Sequence, residues 1–130
     1  MKIGAPKESA RGEARVALTP ESAKQIQKLG HECLVETGAG LAAGFNDDTY
    51  RDAGVTVVDG ADALWRDAEV VIKVREPSDE EAERLREGQT LIAFFWPAQN
   101  EALLEKCKAQ GATVIAMDMV PRISRAQKMD

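Results

Sequence analysis

Four times along this chain a helix-like stretch stops at a glycine and a short run rich in Val and Ile follows. Gly30 precedes the run from His31 to Thr37, Gly54 that from Val55 to Val58, Gly88 that from Thr90 to Trp96, and Gly111 that from Ala112 to Met117. A glycine there supplies the left-handed residue that closes many helices, and apolar runs of this length read as strands. Two further runs, Lys2 to Ala5 and Glu69 to Val74, bring the expected total to about six. Strands separated by helices need crossover connections, which are right-handed and build a mainly parallel sheet with helices on both faces. The predicted class is therefore α/β, three-layered, Rossmann-like or flavodoxin-like.

The helix starts agree with this alternation. Thr19 offers a hydroxyl to an orphan backbone N–H, and Pro20 at the first helical position loses nothing by lacking its own. Ala23, Ile26 and Leu29 then form one apolar stripe. A short helix is expected from Ala61 to Arg66, and Ser78 with Glu81 has the spacing of a capping box opening a helix that ends near Arg86. Asn100 is expected to cap the next helix, with Leu103, Leu104 and Cys107 facing inward. The connection PKESARGEARVAL carries charges too frequent for a buried element and is placed at the surface.

Composition narrows the chemistry. A formal charge of -5 repels polyphosphates and anionic surfaces, so nucleic acid is not an expected partner. His31 is the only histidine, and Cys33 and Cys107 lack C-x-x-C spacing, which leaves no multi-histidine metal site and two reduced core cysteines. No apolar run approaches the roughly 18 residues of a membrane helix, and the N-terminal residues lack a secretory pattern, so the chain reads as cytoplasmic. Its 130 residues suit one domain.

In an open parallel sheet, ligands bind outside the carboxyl ends of the strands. The segment ETGAGLAAG approaches G-x-G-x-x-G, but GFNDD intervenes where a dinucleotide loop would open directly into a helix, so a loop of tight turns is the favoured reading. Lys73 and Arg75 alternate on an expected strand, where they either hold a carboxylate or pair with Glu76 or Glu8. Arg15 poses the same choice, with Glu13 or Glu8 as its partner. FFWPAQN reads as core packing that ends at Pro97, leaving Gln99 at the rim. In PRISRAQ, Arg122, Ser124, Arg125 and Gln127 offer donors and acceptors to a polar ligand, or form a basic surface patch. The crowding of Arg122, Arg125 and Lys128 in an uncapped helical stretch reads as the start of a further element, making residues 1–120 an N-terminal α/β subdomain and 121–130 the beginning of a connection.

Taken together, MKIGAPKE, GEARVALTP, ETGAG, VIKVREP, GQTLIAFFWPAQN and MVPRISRAQKMD resemble the N-terminal part of the NAD(H)-binding component, the alpha subunit, of proton-translocating NAD(P) transhydrogenase. The first two thirds are also similar to alanine dehydrogenase. The resemblance implies hydride transfer between NAD(H) and NADP(H), with Arg122, Gln127 and Asp130 contacting the nicotinamide end of NAD(H) and Ser124 and Arg125 in the same loop. It implies an NAD-binding Rossmann subdomain in the same parent chain, NADP(H)-binding and membrane partner components, and a homodimeric parent. The implied location is peripheral to the inner membrane through those partners. Alanine dehydrogenases hold pyruvate with an arginine matching Arg15 and a lysine matching Arg75, and carry a catalytic histidine matching Trp96. An indole in that place cannot shuttle a proton at neutral pH. An alanine-type amino-acid dehydrogenase and a non-catalytic docking module are the alternatives.

Overall fold

A computed structural model describes residues 1–96 and 99–119. Six strands, β1 (Lys2–Ala5), β2 (Glu32–Glu36), β3 (Thr56–Val58), β4 (Val70–Ile72), β5 (Thr90–Ala93) and β6 (Thr113–Ala116), form one sheet in the order β3-β2-β1-β4-β5-β6. Every pairing is parallel. The order reverses direction between β1 and β4, a doubly wound Rossmann-like arrangement whose two half-sheets diverge from that seam.

Helices α1 (Pro20–Lys28) and α2 (Asp47–Asp52) connect the strands of the first half, α3 (Ala61–Asp67) crosses the seam, and α4 (Asp79–Arg84) and α5 (Glu101–Ala109) serve the second half. Two cores result, one on each face. Ala23 of α1 and Tyr50 of α2 pack with Ala5, Cys33 and Val35 on one face. On the other, Leu64 and Trp65 of α3, Ala82 of α4 and Cys107 of α5 pack with Leu34, Val71, Leu91 and Ala93. Gly4 lies where α3 approaches the sheet: a Cβ there would stand 2.8 Å from Ala68 Cβ and 3.0 Å from Leu64 Cδ2.

The caps form largely as the sequence implies. Thr19 accepts from the Ser22 N–H, and Ser78 and Glu81 make the reciprocal capping box. Asn100 stands at the N-cap of α5 but makes no cap bond. Its Nδ2 instead donates to the Phe95 carbonyl at 2.7 Å, because the end of β5 offers unpaired acceptors within reach. Leu29 departs from the stripe of α1. It caps the helix and is 77% exposed, since α1 ends before the stripe reaches it.

Strands are shorter than their apolar runs. β4 stops at Ile72, so Lys73 and Arg75 lie beyond the strand, and β5 stops at Ala93, three residues before Trp96. α4 likewise stops at Arg84, with Leu85 already extended.

Candidate functional site

The seam between β1 and β4 opens at the carboxyl edge of the sheet, and the segments leaving those two strands meet there. Glu8, three residues past β1, carries a side chain only 3% exposed. Its Oε1 lies 3.0 Å from Lys73 Nζ, and the Val74 and Arg75 N–H groups donate to its two carboxylate oxygens at 2.8 and 3.2 Å. Glu81, from α4, approaches the same ammonium at 3.4 Å. Glu8 thus stitches the start of one half-sheet to the end of the first strand of the other. Buried charges persist only when paired and hydrogen-bonded, and all three members satisfy that condition.

Above this cluster Arg15 and Glu13 form a two-pronged pair, with Nε and Nη2 donating to the carboxylate at 2.8 and 2.9 Å. The Arg15 N–H donates to it as well, at 2.8 Å. These bonds, first that from the guanidinium, pull the Glu13 carboxyl down to about 2. The Arg75 guanidinium lies 3.8 Å away from the same carboxylate and also contacts Glu76 at 3.3 Å. The Arg15 side chain is 71% exposed although Glu13 is only 5% exposed, so one end of the pair is anchored and the other faces solvent. The connection placed at the surface by its charge density therefore buries Glu8 and Glu13. The reason is that Lys73, Arg15 and backbone N–H groups collect the carboxylates.

A cavity of about 190 Å³ lies beside Arg15, lined by Lys7, Glu8, Glu13, Gly38 and Leu41 among others. Ligand pockets commonly span roughly 300–1,000 Å³. The space is smaller than that range.

The glycine segment borders this cavity without forming a phosphate cradle. Thr37 to Gly40 turn, a single 3₁₀ turn follows (Leu41–Ala43), and Gly44 is left-handed at φ 93° before α2 begins. Asp47 reaches back to accept from the Gly38 N–H at 2.9 Å and from the Thr37 hydroxyl, and these bonds lower its pKa. Two of the loop's donors, the Thr37 hydroxyl and the Gly38 N–H, are thus occupied from within by an acid of GFNDD. Gly40 answers a packing need: a Cβ would stand 2.7 Å from the Tyr50 hydroxyl, which itself donates to the Leu18 carbonyl at 2.7 Å.

At the end of β5, Trp96 is 53% exposed and has a left-handed backbone, φ 53°. The Phe95 and Trp96 N–H groups both donate to the Asp118 carboxylate, at 3.1 and 2.6 Å. The contact with Asp118 was not legible, because the aromatic run reads as core and Asp118 lies 22 residues further on. Arg122, Ser124, Arg125, Gln127 and Asp130 lie outside the described residues. Among the described residues no group of three His, Cys, Asp or Glu side chains is placed to hold a metal, and no helix is long and apolar enough to cross a membrane.

The doubly wound parallel sheet, with a polar pocket at its carboxyl edge between the segments that follow β1 and β2, defines a Rossmann-like α/β domain. Residues 4–130 match the profile of the alanine dehydrogenase/PNT N-terminal domain, and the chain belongs to that family. Over 130 residues it is 68% identical to NAD(P) transhydrogenase subunit alpha of Cereibacter sphaeroides, covering all of this chain and 25% of that one. With alanine dehydrogenase of Bacillus subtilis the identity is 42% over 120 residues, 92% of this chain and 32% of the relative. A solved transhydrogenase from Sinorhizobium meliloti superposes with a TM-score of 0.90 at 40% identity, over all of this chain and 39% of that one. A solved L-alanine dehydrogenase gives the same TM-score at 37% identity, over 97% of this chain and 35% of the other. The chain thus spans about a quarter to two fifths of the length of these relatives.

Proposed function

We propose that this chain is the first domain of the NAD(H)-binding alpha component of a proton-translocating NAD(P) transhydrogenase, in which hydride passes between NAD(H) and NADP(H). The observation that carries the reading is Trp96 at the carboxyl end of β5, with Arg75 at the end of β4 held by Glu13 and Glu76. The resemblance to alanine dehydrogenase calls for a histidine and a lysine in those places. An indole supplies no proton at neutral pH, so the site suits a reaction in which hydride moves between two nicotinamide rings and the protein only orients one of them. The identity of 68% to a transhydrogenase alpha subunit supports the same choice.

The carboxyl edge fits one end of the cofactor. Its rim carries Lys7 and Arg15, while in the glycine loop the Gly38 N–H is already taken by Asp47. Arg122, Gln127 and Asp130, with Ser124 and Arg125, would hold the nicotinamide end. A nucleotide-binding subdomain of the parent chain would hold the rest, with residues 1–120 as this domain and 121–130 as the start of the connection to it. NAD(H) supplies or accepts the hydride when bound. NADP(H) belongs to a partner component, further partners lie in the membrane, and the parent is a homodimer. The location is cytoplasmic and peripheral to the inner membrane through those partners.

Calorimetric titration of the 130-residue chain with NADH, and then with pyruvate, tests the reading. A cooperative melt with little or no NADH affinity, no transhydrogenase activity and no pyruvate binding is expected. Turnover with pyruvate and ammonium would establish the alanine dehydrogenase alternative instead, and tight one-to-one binding of NADH would show that ETGAGLAAG or another segment of this chain holds the dinucleotide after all.

A further inference from the structure

Three segments far apart in sequence converge on Glu8. The stretch after β1 supplies Glu8 itself, the stretch after β4 supplies Lys73, Val74 and Arg75, and α4 supplies Glu81. Glu8 Oε1 accepts from the Lys73 ammonium at 3.0 Å and from the Arg75 N–H at 3.2 Å, and Oε2 accepts from the Val74 N–H at 2.8 Å. Neutralising Lys73 does not require Glu8, because Glu81, itself buried, stands 3.4 Å from the same ammonium. Two buried carboxylates facing one ammonium are a poor device for stability, since each carries a desolvation cost that one counter-charge offsets only in part. The two backbone bonds give Glu8 a different use.

β4 has ended at Ile72, and the Lys73 N–H still donates to the Ile92 carbonyl of β5 at 2.9 Å. The next two N–H groups, of Val74 and Arg75, go to Glu8 instead, so its carboxylate sets the direction in which the chain leaves the sheet. That direction decides where the Arg75 side chain starts. Its guanidinium lies 3.3 Å from Glu76 and 3.8 Å from the buried Glu13 carboxylate, and Glu13 holds the exposed Arg15 guanidinium by two bonds, at 2.8 and 2.9 Å. Glu8, Glu13 and Arg15 all line the cavity at the carboxyl edge. A continuous run of contacts thus leads from Glu8 through the backbone of residues 74 and 75 to Arg75, Glu13 and the rim.

We propose that Glu8 is a positioning residue of the carboxyl-edge site: it fixes the turn that carries Arg75 and, through Arg75 and Glu13, the pose of Arg15 at the cavity rim. The inference rests on the functional reading above, in which this edge receives one end of NAD(H). Glu8 need not touch the cofactor in this role; it acts through the groups that it orders. Lys73 and Glu81 complete the arrangement, the ammonium tying Glu8 to α4.

Calorimetric titration of the full-length alpha chain with NADH, beside thermal melts, tests the inference. Glu8→Gln sets an amide nitrogen donor among donors, and about tenfold weaker NADH binding is expected. Arg75→Ala keeps the backbone bond to Glu8 but removes the guanidinium. It should weaken binding by a similar factor with the melt little changed, the side chain being about a third exposed. In the double variant the loss should not exceed that of the larger single one, since both changes cut one path. Leu91→Ala, in the core that α4 and α5 form on the sheet, destabilises without touching that path and should bind NADH as the unaltered chain does. Unaltered affinity in Glu8→Gln, a loss equalled by Leu91→Ala, or additive losses in the double variant would each overturn the inference and leave the functional reading standing. Should Glu8→Gln fail to fold, Arg75→Ala decides alone, and unaltered affinity there breaks the path. Absence of NADH binding to the unaltered full-length chain would overturn both.

Discussion

The two half-sheets that diverge from the seam are not covered alike. Strands β1, β2 and β3 have α1 and α2 on one face and α3 on the other, so Cys33, Leu34 and Val35 of β2 are all buried although they point to alternating faces. Among the described residues, strands β5 and β6 have helices, α4 and α5, on one face only. There Leu91, Ala93 and Ala116 are buried, while Ile115, paired with Ile92 on the opposite face, is 40% exposed. Phe94 and Met117, just beyond these strands, are each 43% exposed. Both halves carry the Val/Ile-rich pattern of strands buried on two faces. Among the described residues the same local code thus has helices on both faces in one half and on one face in the other, because coverage depends on which helices the winding sends to each face.

The largest expected effect lies at the seam. Lys73→Met strips the counter-charge from Glu8 and Glu81, both buried, and should destabilise the domain by about 3–5 kcal/mol in urea unfolding. In the second half, Leu91→Ala on the covered face should cost about 2–5 kcal/mol by the same assay, as expected for a cavity in a packed core. In the first half, Gly40→Ala forces a methyl against the Tyr50 hydroxyl and the Phe45 carbonyl. It should cost about 1–3 kcal/mol and loosen the turn beside the pocket, read as faster hydrogen exchange there.

Acid should act on the carboxyl edge. The Glu13 carboxyl falls from its ordinary value of 4.5 to about 2 in the folded protein, so its contribution is complete above 4.5 and lost as pH drops towards 2. Stability measured across that window should decline less steeply in Glu13→Gln. The smallest effect is the sharpest test of the asymmetry: Ile115→Thr, on the open face of β6, should change stability by less than about 0.5 kcal/mol. A loss comparable to that of Leu91→Ala would show that the second face is covered after all.

Much of the candidate site was legible in part. The carboxyl-edge rule pointed to Glu8, Arg15, Lys73 and Arg75 as neighbours, and the pairings of Lys73 with Glu8, Arg15 with Glu13 and Arg75 with Glu76 were among the stated choices. That Lys73 turns inward while Arg75 remains about a third exposed was not legible. Sequence alternation assigns both to one face of a strand, but β4 ends at Ile72 and the two residues follow the chain as it leaves the sheet. Trp96 was placed at the carboxyl edge, but the clamp on its turn escaped, since it joins residues 22 apart.

What the sequence determined by itself was the succession of strands and helices, the glycine stops at Gly30, Gly54 and Gly111 though not at Gly88, most of the caps and the parallel sheet, because each depends on periodicity and on bonds between residues three or four apart. The placement of strands β4 to β6 on the far side of β1, the burial of Glu8, Glu13 and Lys73, the bonds of Asp47 to Thr37 and Gly38 and the exposure of Ile115 were decided by the tertiary structure. Each depends on which distant groups the winding of the chain brings together, and a local pattern carries no record of those neighbours.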